Sequence, residues 1–208
     1  MAALFTPRWL IAACLVVISF GFKRPDKKPS SGEKMIDPFS LNDIYGNRFS
    51  LEDYKTEKGC IVIFTCSHCP FANLYHDRLN KINKKYSKAG FPLLAINPVS
   101  PLDFPEERVD ELQKKAKANR YNFRYLIDST QAIARNFGAV KTPHAFVLIR
   151  ENKGWIIKYN GAIDDNGAHP EKVENAFVEK VVDELLSGKP LSVTETKSIG
   201  CKITITAK

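Results

Sequence analysis

Apolar and polar positions first fall into register between Phe39 and Leu51, where Phe-Ser-Leu and Arg-Phe-Ser-Leu flank Tyr45-Gly46-Asn47. Gly and Asn tolerate the backbone angles of a tight turn, so this stretch predicts a hairpin and the start of a folded domain. Cys60 to Thr65 is an unbroken β-branched and aromatic run, the pattern of a central strand buried on both faces. After Pro70, the residues Phe71, Leu74, Tyr75, Leu79, Ile82 and Tyr86 recur at helical spacing. Pro70 suits the first turn, where the amide it lacks would have no partner. Phe91 to Ile96 reads as the next strand, completing a strand-helix-strand unit with a right-handed crossover. Asp103 and Glu106 stand at capping-box spacing before a charged helix reaching about Asn119, and Thr130 to Phe137 forms a shorter helix stopped by Gly138. Ala145 to Ile149 and Trp155 to Tyr159 flank Glu151-Asn152-Lys153-Gly154 as an antiparallel hairpin does, and Pro170 to Leu186 is the last helix. The order hairpin, β, α, β, α, α, β, β, α predicts an α/β domain with a mixed sheet and helices on both faces.

The N-terminal region has a different pattern. Trp9 to Phe22 carry no charge and lie between Arg8 and Lys23-Arg24, the layout of a secretory signal. That run is shorter than the about 20 apolar residues that span a bilayer, so residues 1–22 are expected to be a signal peptide or, second, a membrane anchor. Ile11-Ala12-Ala13-Cys14 looks like a lipoprotein box, but the apolar run continues past Cys14. Residues 23–35, rich in Lys, Pro and Ser, form a linker; 36–190 form the domain and 191–208 a C-terminal extension. Export places the domain in the periplasm, free or tethered to the membrane, where disulfides persist.

Composition adds two limits. The chain has 208 residues, 44% apolar and 26% charged, enough for one core and unlike collagen-like, low-complexity or disordered chains. Its net charge of +8 is spread along the chain among 23 acidic residues, which reads as solvated surface, with no nucleic-acid partner.

The chemistry concentrates in Cys66-Ser67-His68-Cys69-Pro70. Two cysteines three apart, where a buried strand meets a helix start, can close a reversible disulfide. The helix N-terminus favours a thiolate at Cys66, the outer position and expected nucleophile; Cys69 then resolves the mixed disulfide. His68 adds positive charge beside the pair when protonated, which favours an oxidising disulfide. Structural zinc would need a second ligand pair, which the chain does not offer, so no metal or cofactor is expected. Cys201, beside Gly200, is a possible third redox thiol, although a structural cysteine is the commoner role. Cys60 fits as a small core residue, His76 as a solvated one, and Asp164-Asp165-Asn166 as turn and cap residues.

These residues together resemble the redoxin branch of the thioredoxin-like fold, which includes the AhpC/TSA peroxiredoxins and the TlpA/ResA-type thiol-disulfide oxidoreductases. The resemblance runs from about Asp37 to Ser187, through the opening hairpin, Phe64-Thr-Cys-Ser-His-Cys-Pro70, and Thr142-Pro143 before a strand. It implies a three-layer α/β/α sandwich with a mixed central sheet, and a cis Pro143 which, with Thr142, sits against the cysteines and pairs with an extended substrate. Departures are informative. With Cys69-Pro70 laid on the peroxidatic Cys-Pro, the expected Thr is Cys66 and the expected Pro is Val62, so the peroxidase triad is absent. The Trp that precedes the first cysteine in thioredoxins is Thr65 here, and their buried Asp has no counterpart in this strand. The sequence also resembles peroxiredoxin-like proteins with a C-x-x-C, which often end in a segment like Glu195 to Cys201. The expectation is an exported thiol-disulfide oxidoreductase, monomeric, acting on protein thiols and disulfides with an unidentified redox partner protein. The alternatives are a thiol-dependent peroxidase, or a copper metallochaperone binding through Cys66, Cys69 and His144.

Overall fold

A computed structural model of the chain describes residues 34–151 and 154–204. The expected signal peptide or anchor and nearly all of the linker lie outside these residues. Among the described residues, no helix is long and apolar enough to cross a membrane.

Three short strands come first, β1 (Met35–Ile36), β2 (Ser40–Asp43) and β3 (Arg48–Ser50). β2 and β3 are the expected hairpin, turned through Gly46 at a φ of 85° and closed by the Asp43 carboxylate, which accepts from the Tyr45 and Asn47 amides at 2.9 Å. Next come β4 (Gly59–Phe64), the helices α1 (Pro70–Asn73) and α2 (His76–Tyr86), then β5 (Leu93–Asn97) and α3 (Val109–Ala118). The second half holds β6 (Arg124–Ile127), α4 (Ala132–Phe137), β7 (Lys141–Thr142), β8 (His144–Glu151), β9 (Gly154–Gly161), α5 (Phe177–Leu186) and β10 (Cys201–Lys202).

The main sheet runs β1-β9-β8-β4-β5-β6-β2-β3, with β4, β5 and β6 mutually parallel and the other pairs antiparallel. β4 is buried at every position because it has a strand on each side and a core on each face. Its alternation separates the cores. Ile61 and Ile63 face Leu79 and Ile82 of α2, Leu112 of α3 and Val178, Val181 and Val182 of α5. Cys60, Val62 and Phe64 face Ala134 and Phe137 of α4, with Phe146, Leu148 and Trp155. The result is the expected thioredoxin-like α/β/α sandwich around a mixed sheet.

Several elements differ from expectation. The helix after Pro70 is broken: the Leu74 and Tyr75 amides bond to carbonyls three residues back, at 3.3 and 3.1 Å, tightening the turn. Tyr75 is fixed from outside the helix, its hydroxyl 3.0 Å from Asp164 and its ring under the Arg78 guanidinium at 3.8 Å. No capping box forms at Asp103 and Glu106. Pro105–Glu107 is a 3-10 turn, α3 begins at Val109, and the acidic residue turned inward is Glu107. β6 escapes the periodicity because it has only four residues, two of them fully inward. The last helix starts at Phe177, since Asp165 holds the Glu174 and Asn175 amides at 3.1 and 2.9 Å and keeps that backbone out of the helix. β8 and β9 are longer than expected, and Asn152 and Lys153 of the predicted loop lie outside the described residues.

Candidate active site

The C-x-x-C bridges two elements. β4 ends at Phe64, Cys69 is the N-cap of α1, and Pro70 occupies its first turn. β7 and the start of β8 lie against this loop, joined by a cis Thr142–Pro143 peptide, the geometry that the resemblance implies. Thr142 touches both thiols: its hydroxyl lies 3.0 Å from Cys66 Sγ, and its carbonyl accepts from Cys69 Sγ at 3.0 Å. Cys66, Cys69, Cys60 and Cys201 are all free thiols. Cys66 is only marginally the outer sulfur, since Cys66 is 2% and Cys69 0% exposed.

Cys66 and Cys69 both bond to Thr142 and titrate as a coupled pair. The neighbouring Cys66 thiol, with Cys201, the Ala72 amide and Thr142, lowers the Cys69 thiol against its burial. Cys69 and burial in turn push Cys66 up. One proton therefore leaves the pair more readily than the second. The expectation places the resting thiolate at Cys66, and two sets of contacts here pull in opposite directions. The N-cap position belongs to Cys69, and the helix-start amide and neighbouring thiols converge there. Thr142 favours the opposite placement, with its hydroxyl donating to a Cys66 thiolate and its carbonyl accepting from a Cys69 thiol.

The residue that sequence reading missed is Glu107, whose side chain is fully buried under the motif. Its Oε1 accepts the Ser67 and His68 amides at 2.7 Å and lies 2.7 Å from His68 Nδ1, while Oε2 accepts from Asn97 at 2.9 Å. The three contacts on Oε1 fix the Ser67-His68 turn. β4 carries no carboxylate, and the buried one beside the motif comes from the turn before α3. The only hint in sequence was the capping-box spacing, one residue away at Glu106. His68 is held flat against Phe104, with ring centroids 3.7 Å apart. A second missed residue, Lys115 of α3, donates to the Ser67 carbonyl at 2.8 Å and to Asn73 Oδ1 at 2.6 Å. Burial lowers its pKa, opposed by the negative charges of Glu107, Cys66 and Cys69.

Among the described residues, Cys66, His68 and Glu107 bring potential metal-ligand atoms within 4.8 Å of one another. Oε1 of Glu107 is committed to the Ser67 and His68 amides and to His68 Nδ1. His144 is absent from that group. Its Nδ1 accepts from the Val140 amide at 3.3 Å, its ring leans on Phe146, and burial holds its pKa down to about 4. The geometry therefore does not bring together the Cys66, Cys69 and His144 set of a copper carrier. Cys60 lies wholly in the core, its thiol pushed up by burial. His76 is half-buried and bonded to the Tyr121 hydroxyl rather than solvated. Asp164 pairs with Arg78 at 2.6 Å, a structural contact.

Comparison with known proteins places this site in context. Residues 32–166 match the AhpC/TSA family. A hypothetical protein from Sinorhizobium meliloti 1021 is 34% identical, with a TM-score of 0.77 over 85% of this chain and 95% of that one. An uncharacterized conserved protein from Geobacillus kaustophilus is 30% identical, with a TM-score of 0.76 over 85% of this chain and 93% of that one. No curated protein matches the sequence.

Proposed function

The chain belongs to the AhpC/TSA family, and from its general oxidoreductase role we propose a thiol-disulfide oxidoreductase exchanging disulfides with protein substrates through Cys66 and Cys69. The observation that carries this reading is the pair of free thiols, both bonded to one residue, Thr142, beside cis Pro143. A proton shift to Cys69 makes Cys66 the thiolate. Cys66 Sγ attacks one sulfur of a client disulfide and expels the other as a thiolate. Cys69, giving up its proton, then attacks Cys66 Sγ and releases the second client thiol, leaving a Cys66–Cys69 disulfide. Two electrons pass to the client, and the reverse sequence oxidises a client dithiol. An exported location, supported by the uncharged run Trp9 to Phe22, would supply extracytoplasmic clients and an unidentified redox partner protein.

A second reading, a thiol-dependent peroxidase, is favoured by the low pKa of Cys69, the position aligned with a peroxidatic cysteine. The missing Thr and Pro of that pattern favour the first. Titration of the protein in glutathione buffers, with differential alkylation and mass spectrometry, tests the exchange reading. The expected result is one two-electron midpoint for Cys66–Cys69, within the range of about −270 to −120 mV known for such pairs. No reversible bridge at any poise would overturn it. Cys69→Ser should trap client mixed disulfides through Cys66, and Cys66→Ser should trap few; the reverse pattern would exchange the roles. Peroxide consumption at a rate exceeding disulfide exchange would favour the peroxidase.

A further inference from the structure

The ribbon formed by β7 and β10 brings a third thiol to the pair. Cys201 stands opposite Thr142, the residue that contacts both active thiols, and packs against Cys66, Cys69 and Ala72. Gly200 makes this approach possible: a Cβ there would lie 2.1 Å from the Thr142 carbonyl oxygen and 3.1 Å from Pro143 Cδ. The segment is pinned beyond Cys201 as well, since the Ile203 amide donates to Val140 at 2.9 Å and Gln131 donates to the Thr204 carbonyl at 2.9 Å. Access differs among the sulfurs. Cys69 is sealed, whereas Cys201 is half-buried and reachable.

We propose that Cys201 is a third redox thiol, which attacks Cys69 in the Cys66–Cys69 disulfide, forms a Cys69–Cys201 bridge and frees Cys66. This rests on the exchange reading above. Cys201 loses its proton to solvent, its Sγ bonds to Cys69 Sγ, and the Cys66–Cys69 bond breaks with its electron pair on Cys66. The protein's oxidation state is unchanged. An external dithiol then attacks the accessible Cys201, expels Cys69 as a thiolate and closes on itself, returning two electrons. Clients thus meet Cys66 and the donor meets Cys201, with Cys69 common to both bridges. In the reduced protein, burial and the adjacent Cys69 raise the Cys201 thiol to about 11. Once Cys69 is in a disulfide it carries no charge, so that part of the restraint is lifted.

The test uses the full chain, equilibrated in glutathione buffers, alkylated, digested and searched for linked peptides. Wild type should yield both Cys66–Cys69 and Cys69–Cys201 linkages, and Cys66→Ser should yield Cys69–Cys201. Gly200→Val, which pushes the ribbon off Thr142, should lower the Cys69–Cys201 linkage at least tenfold and leave Cys66–Cys69 in place. If Cys66–Cys69 forms while Cys201 is fully alkylated at every poise, the third-thiol proposal fails and the exchange reading stands. A glutathione adduct on Cys201 in place of the bridge would also overturn the proposal. Absence of a Cys66–Cys69 linkage in wild type would overturn both.

Discussion

Thr142 couples the two thiols through two different groups, and substitution separates them. Thr142→Val keeps the shape and the carbonyl but removes the hydroxyl that can donate to a Cys66 thiolate. A hydrogen bond to a charged group contributes about 1.5–3 kcal/mol, so client-disulfide attack should slow by roughly ten- to a hundredfold with the unfolding midpoint nearly unchanged. Stopped-flow exchange with a disulfide probe measures it, and an unaltered rate would remove the hydroxyl from the mechanism. Glu107 acts on the turn instead. Glu107→Ala leaves the Ser67 and His68 amides without their acceptor, which should cost about 2–6 kcal/mol at about 1–3 per unsatisfied group. Urea denaturation reads this directly. Cys66 and Cys69 announce themselves by spacing, and Thr142-Pro143 by resemblance. Glu107 and Lys115 do not, because each reaches the site from a helix region whose local pattern shows only a charged surface.

At the scale of elements, sequence was most informative where one force dominates. β4 is hydrophobic at every position because both faces are covered, and α4 stops at Gly138, which adopts a φ of 76°. Competing contacts hid the remainder. Tyr75 is tied to Asp164 and so interrupts a helix its neighbours would continue, while Asp165 claims backbone amides that Pro170 to Leu186 would have used. β6 is too short for a period to show. β4 also explains a glycine that periodicity does not notice. A Cβ on Gly59 would lie 2.2 Å from the Leu148 carbonyl oxygen and 2.3 Å from the Phe91 ring. Gly59→Ala must therefore spread β4 from β8, and its urea unfolding should show a loss of about 1–3 kcal/mol. A neutral result would mean that the strand pair yields more easily than its packing implies.

For the whole molecule, the pH dependence of stability follows from histidines kept neutral inside it. His144 has its pKa lowered by burial to about 4, against about 6.5 when unfolded. The stability it contributes is complete above about pH 6.5 and is lost as pH falls toward 4, on the order of 3 kcal/mol at 1.36 kcal/mol per unit. His76, also lowered by burial, adds to the loss; Asp128, raised by burial, opposes it. Urea titrations of the oxidised protein at pH 7 and pH 4, where Cys66 and Cys69 carry no thiol proton, should show the decline. His144→Phe should flatten it, and an equal decline in that variant would place the source elsewhere.

The β7–β10 ribbon has a consequence for the order in which the protein is made. Cys66 and Cys69 are synthesised early, whereas the strand that packs beside them comes about 130 residues later. At on the order of 10 residues per second, a nascent chain would display the two thiols for over ten seconds before Cys201 exists to cover them. During that interval the pair can react with whatever disulfide or oxidant it meets, so an early-formed bridge would be the starting material on which Cys201 first acts.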